Sequence, residues 1–264
     1  MTVKSPARHF IIGGAQRSAT TYLTHILDTH PEIEQAKPVR PEPKFFLKLD
    51  EYTEGYAGYL NRYFSHVAPS ENKVLGEKST SYIEYPAAAE RIKKLIPDIR
   101  LIFLLRHPID RAVSNINFSR MHGYEDAPLG TAILRELDSP NTVMSVDHAG
   151  ISVSPQAYLA RSSYADHLRP WFETFSTNQI KVLVKETLTG NAKQVRGVYE
   201  FLDVDPNFKS QGLEQIVNVS KNSNGEFLSK ETYARLNDYF RPKNKVLEEM
   251  CGIDLGVWKT SETK

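Results

Sequence analysis

Two short stretches, each rich in cations and hydroxyls and each set directly behind an apolar run, can do chemistry. The first is GGAQRSATTYLTHIL, residues 13–27. A glycine-led loop that opens a helix aims backbone N–H groups at one spot and favours an anion there. Gln16, Arg17, Ser18, Ala19, Thr20 and Thr21 form that loop. The threonines add hydroxyl donors, and Arg17 adds a permanent charge. The second stretch is Arg106 followed by HPIDRAVSN. Pro108 suits the first turn of a helix. Ser114 then lies along that helix, on a side shared with Asp110 and Asn117. An arginine at a strand tip and a serine on the next helix can clamp a second phosphate.

Each stretch has a plainer reading. The first is also compatible with a strand–turn–helix carrying incidental hydroxyls. Arg106 and Arg111 can pair with carboxylates such as Asp110 and hold the helix, which is the role expected of Arg111. Comparison with the triphosphate loop GxxxxGK[ST] separates some of these options. Aligned from Gly14, the second glycine becomes Ala19 and the lysine becomes Thr20, while the cation stands three residues earlier at Arg17. A nucleotide hydrolase places a Mg²⁺-binding Asp at the strand tip where this chain has Arg106. Direct phosphate contact is therefore favoured over a metal.

Strands and helices must position these groups. His9–Gly13, Arg100–Leu105 and Ile180–Val184 are nearly continuous apolar runs, and Lys73–Gly76 is a shorter β-like run. Such runs suit strands buried on both faces of a parallel sheet. Helix-period stripes lie between them: Tyr22, Leu23, Ile26 and Leu27; Ala89, Ile92, Leu95 and Ile96; Tyr164, Leu168, Trp171, Phe172 and Phe175; Val195, Val198, Tyr199 and Leu202; and Tyr233, Leu236, Tyr239 and Phe240. The alternation predicts an α/β fold of one domain over residues 1–264, a central parallel sheet flanked by helices. Ligands in such folds bind beyond the C-terminal ends of the strands. Residues 123–156 carry three prolines and one short helical stretch around Ala132–Leu137, as expected of a lid or a disordered loop.

Composition narrows the class. The chain has 264 residues, 40% apolar and 25% charged, as in ordinary globular proteins. Lysine and arginine number 33 against 32 acidic residues, a net charge of +1, which argues against a dedicated surface for a polyanion, whether nucleic acid or a heavily sulfated polymer, but permits a local basic pocket. The one cysteine, Cys251, cannot bridge within the chain and fits a reducing compartment. No apolar run is long enough to span a bilayer. A cytoplasmic protein is expected. Oligomeric state is not readable.

The motifs together resemble the sulfotransferases that use 3′-phosphoadenosine 5′-phosphosulfate. GAQRSATTYLTHIL is similar to their 5′-phosphosulfate loop, and LIFLLRHPIDRAVSN to their 3′-phosphate strand and helix. PEPKFF (41–46) and GEKSTSYI (76–83) resemble the catalytic-glutamate and lysine segments of the carbohydrate-type and bacterial branch. SSYADHLRPWFETFSTNQIKVLVKETL is similar to the aromatic helix and the following strand. The likeness runs from about Phe10 to Trp258. It departs at Arg17, where many members have lysine, and at Ala19, where many have glycine. Arginine keeps the charge but in a planar fork. Ala19 is costly only where the backbone needs a positive φ.

The resemblance implies a P-loop-like fold and sulfonyl transfer from that nucleotide, as co-substrate, to a small-molecule or carbohydrate hydroxyl. It implies no metal. It assigns Glu42 as general base, Arg17 to the bridging oxygen and 5′-phosphate, and Lys78 to the sulfonyl group or acceptor. It gives Arg106 and Ser114 to the 3′-phosphate. Tyr164 lies against the adenine or in the core, and Lys221 and Asn222 lie in a C-terminal nucleotide loop. Two other readings stand beside it: a P-loop kinase using ATP and Mg²⁺, and a nucleotide-binding module without catalysis.

Overall fold

The apolar runs become the centre of one parallel sheet. A computed structural model describes residues 7–68, 72–139, 155–210, 212–213 and 226–259. Its strands are β1 (Arg8–Gly14), β2 (Ile33–Gln35), β3 (Val74–Lys78), β4 (Arg100–Leu105) and β5 (Ile180–Val184). They lie in the order β2-β3-β1-β4-β5, and every pairing is parallel. The helices are α1 (Thr20–Asp28), α2 (Leu49–Tyr52), α3 (Gly55–Tyr63), α4 (Pro86–Leu95), α5 (Pro108–Met121), α6 (Leu129–Asp138), α7 (Tyr164–Thr174), α8 (Lys185–Leu188), α9 (Ala192–Leu202), α10 (Lys230–Cys251) and α11 (Gly256–Lys259).

Alternation along the strands builds a core on each face. Phe10, Ile12, Ile102 and Leu104 point to one side and pack with Leu23, Ile26 and Leu27 of α1 and Val195, Val198 and Leu202 of α9. Ile11, Leu101, Phe103 and Leu105 point to the other and pack with Ile92, Leu168 and Trp171. A third cluster joins α5, α6 and α10 through Ile109, Ile116, Ile133, Leu236 and Phe240. The chain passes from β3 to β4 across β1, so connections diverge around β1. That switch point leaves a crevice beyond the C-terminal ends of β3, β1 and β4.

Three expectations change. β3 runs on through Glu77 and Lys78 instead of stopping at Gly76, so Lys78 belongs to the strand and registers with Ile12. The short helical stretch around Ala132–Leu137 is a helix of 10 residues, α6, pinned where Glu136 accepts from the Leu159 and Ala160 amides. Residues 140–154 of the same segment lie outside the described residues. α10 continues past Pro242 to Cys251, well beyond its aromatic stripe.

His9, near the start of β1, is enclosed by Tyr56, Tyr59 and Phe64, and its Nε2 lies 2.8 Å from the Tyr56 hydroxyl. Burial lowers its pKa from 6.5 to about 4. Between those values the unfolded chain binds the extra proton, so stability rises with pH through the window and falls on acidification. The linkage is worth about 3 kcal/mol. We expect His9→Gln to flatten the pH dependence of urea unfolding between pH 4 and 6.5, relative to wild type. An unchanged slope would show that His9 is not held neutral.

Candidate active site

Three neighbouring strand tips meet in the crevice. Beyond β1, the loop turns through Arg17 and Ala19, both left-handed at φ 69° and 65°, before α1 begins at Thr20. Ala19 therefore occupies the costly case anticipated for a non-glycine residue there. Such turns gather N–H groups into an anion-binding concavity. The Ala15 amide donates to Leu104 O at 2.9 Å, tying the loop to β4. Gly14 permits a close approach: a Cβ there would stand 2.5 Å from Ile83.

Arg111 supports the loop from beneath. It is fully buried and donates to Gln16 O, Tyr158 O, Ser162 Oγ and Asn115 Oδ1 at 3.2, 3.0, 3.3 and 2.6 Å. Its structural role is as expected, but its partners are carbonyls, a hydroxyl and an amide. Asp110 is exposed at the surface and takes no part in this clamp. Desolvation lowers the Arg111 pKa to about 10.

Cations collect on the β4 side. Arg106, just past β4, donates to Arg17 O at 3.4 Å, and its buried Nε has no protein partner among the described residues. Arg17 Nε donates to Ser114 Oγ at 3.1 Å, and its guanidinium lies over Phe118 at 5.0 Å. Burial and then Arg106 lower the Arg17 pKa. Lys185 joins them. The register Leu105↔Val184 sets Lys185 beside Arg106 on the next strand tip, and burial followed by Arg106 lowers its pKa. Glu186 and Asp110 act in the opposite direction on Lys185, without outweighing burial and Arg106. Sequence reading missed Lys185, because a lysine opening a helix looks solvated until the register is known.

The β3 side carries the opposite arrangement. Lys78 Nζ lies 2.7 Å from Glu42 Oε1, and both side chains are nearly buried. Thr80 donates its amide to Glu42 Oε2 at 2.9 Å and its hydroxyl to both carboxylate oxygens. Phe45 and Phe46 are fully buried and anchor the segment behind Glu42. Gln16 Nε2 reaches Ser81 Oγ at 3.1 Å, linking the β1 loop to this group. A carboxylate, a lysine, and the hydroxyl and amide of Thr80 thus stand beside the β1 loop.

The structure sorts the remaining candidates. Ser18 is fully buried beside the Tyr164 hydroxyl, Thr20 is buried at the start of α1, and Thr21 is half-buried. Tyr164 is a core residue. It is 1% exposed and donates to Arg106 O at 2.9 Å, so it sets the Arg106 backbone and offers no face to an adenine. Lys221 and Asn222 lie outside the described residues. Arg17, implied for the bridging oxygen, donates its Nε to the Oγ of Ser114, the serine implied for the 3′-phosphate.

The sulfotransferase domain model matches residues 7–249. The chain belongs to the sulfotransferase family. It is 25% identical over 268 residues to mouse heparan sulfate glucosamine 3-O-sulfotransferase 3A1, covering 93% of this chain and 63% of that protein. It is 28% identical over 199 residues to the bifunctional heparan sulfate N-deacetylase/N-sulfotransferase 1 of Caenorhabditis briggsae, covering 74% of this chain and 22% of that protein. The chain thus spans less than two thirds of these relatives' length. A sulfotransferase structure from Alicyclobacillus acidocaldarius superposes with a TM-score of 0.75 at 20% identity, over 97% of this chain and all of that one, which establishes the shared fold.

A left-handed non-glycine residue costs roughly 1–2 kcal/mol, part of which glycine gives back as entropy. Ala19→Gly should raise unfolding stability by up to about 1 kcal/mol in urea titration. A loss of stability would place the φ of this sulfotransferase loop elsewhere.

Proposed function

We propose that this domain transfers a sulfonyl group from 3′-phosphoadenosine 5′-phosphosulfate to a hydroxyl of a carbohydrate or small-molecule acceptor, with Glu42 as general base. The observation that supports it best is the asymmetry of the crevice: neighbouring cations past β4 and β5, and a lysine-held carboxylate past β3. Two phosphates and a transferring anion need the first, and removal of a hydroxyl proton needs the second.

In this reading the loop amides and Thr20 and Thr21 hold the 5′-phosphate. Arg106, Ser114 and Lys185 hold the 3′-phosphate. The orphaned Arg106 Nε fits an incoming anionic oxygen. Arg17 stands between the two ends and supplies positive charge at the bridging oxygen. The acceptor oxygen attacks sulfur as Glu42 takes its proton. The bond from sulfur to the bridging oxygen breaks, and its electron pair stays on the departing phosphate. Lys78, next to Glu42, neutralises charge on the sulfonyl oxygens. Positioned proton transfer contributes roughly 10²–10⁴-fold, and a well-placed charge donor about 3–4 kcal/mol. Of the relatives named above, the mouse protein is a heparan sulfate glucosamine 3-O-sulfotransferase, which favours a sugar hydroxyl as the acceptor class.

The kinase reading lacks a carboxylate at the β4 tip, where Arg106 stands. The silent-module reading leaves the Glu42–Lys78 pair without a purpose. Adenosine 3′,5′-bisphosphate should raise the melting temperature and ATP with Mg²⁺ should not. The reverse pattern would favour a kinase. Glu42→Gln should cut sulfonyl transfer by about 10²-fold or more with bisphosphate affinity little changed. Full turnover in that variant removes Glu42 from the mechanism. Lys185→Met should weaken bisphosphate binding by about tenfold and leave 5′-AMP binding unaltered. Equal losses for both ligands would assign Lys185 away from the 3′-phosphate.

A further inference from the structure

Glu77 occupies the position on β3 just before Lys78 and points the other way, into the core. It is fully buried, among aromatic rings. A carboxylate in such a place is costly unless hydrogen bonds satisfy it. Three hydroxyls do so. Tyr59 donates to Oε2 at 2.7 Å, and Tyr82 and Ser79 each donate to Oε1 at 2.6 Å. Burial raises the Glu77 pKa, and these donors oppose it.

Two of those hydroxyls also accept. Ser79 Oγ receives the Lys44 amide at 2.8 Å, and the Tyr82 hydroxyl receives the Phe46 amide at 3.2 Å. A hydroxyl whose proton is committed to a carboxylate becomes a stronger acceptor. Both amides belong to the segment that presents Glu42. That segment bends sharply at Lys44, a non-glycine residue at φ 53°. Such a bend persists only where its surroundings hold it. Other groups act on the carbonyls nearby: Arg91 donates to Phe46 O and Tyr63 to Pro43 O, at 2.7 and 3.2 Å.

We propose that Glu77 is a positioning residue for the general base: through Ser79 and Tyr82 it holds the Lys44 and Phe46 amides and so sets where the Glu42 carboxylate stands. β3 then grips Glu42 twice. Lys78 and Thr80 hold its side chain, and Glu77 holds its backbone through two relays. The catalytic half of this inference rests on the function proposed above; the structural half does not.

Amide hydrogen exchange tests the structural half on the intact protein without any reaction. In Glu77→Gln, exchange at Lys44 and Phe46 should rise by roughly tenfold, with the central strands as protected as in wild type. Tyr82→Phe should release the Phe46 amide alone, and Ser79→Ala the Lys44 amide alone, so these two variants carry the test if Glu77→Gln does not fold. Unchanged exchange at both amides, or an even loss of protection across the sheet, overturns the proposal. Where wild type transfers labelled sulfonyl to a heparan sulfate oligosaccharide, the Glu77→Gln and Tyr82→Phe variants should lose up to about 10²-fold in kcat with the KM for the nucleotide donor unchanged. A rise in donor KM at constant kcat contradicts the assignment. A wild type inert towards that acceptor counts against the proposed acceptor and leaves the exchange result standing.

Discussion

Arg106 repels both Arg17 and Lys185 at the C-terminal edge of the sheet, and the fold forces them to stay close. Register alone fixes two of them: Leu105 pairs with Val184, so the next residues on each strand are neighbours. The third is carried in by a loop whose backbone is tied to β4 through Ala15 and Leu104. Like charges held this way raise the energy of the empty crevice, and an anion relieves it. That repulsion is expected to be strongest where burial thins the water, as it does around Arg17.

The supports are buried and mostly neutral or self-satisfied. Arg111 spends its donors on backbone and amide oxygens beneath the loop. Tyr164 fixes the Arg106 carbonyl from the core side. Glu186 accepts the His107 amide and the Trp258 indole N–H, anchoring the turn into α5. Each of these groups aims a neighbour through hydrogen bonds. The carboxylate half of the crevice is built the same way, with Thr80 and Lys78 in front of Glu42 and the Phe45–Phe46 pair behind it.

Much of this was legible in the chain. β4 and β5 match their expected bounds because unbroken apolar runs end abruptly in charge, as at Leu105–Arg106 and Val184–Lys185. The β1 loop was singled out by the charge logic of Arg17 and Arg106 and by motif likeness, and Glu42 by motif likeness alone; the structure brings both to one crevice. β2 escaped notice because Ile-Glu-Gln has no apolar run; Gln35 is buried as a polar residue. Glu77 was misread for a related reason. The expected run stopped at Gly76, whereas hydroxyls of Tyr59, Ser79 and Tyr82 allow the carboxylate inside. Tyr164 had one role by likeness and another by periodicity, and its burial favours the second. Pattern reading fails where distant side chains compensate a local violation.

The account stands on two phosphate grips sharing one nucleotide. Isothermal titration calorimetry of adenosine 3′,5′-bisphosphate, 3′-AMP and 5′-AMP at low and high salt measures this most directly. The bisphosphate should bind about 10–100-fold more tightly than either monophosphate, through charge-assisted bonds at both ends, and the advantage should shrink as salt rises. Equal affinities for the three ligands would mean that the cations past β4 and β5 do not act with the β1 loop on one molecule.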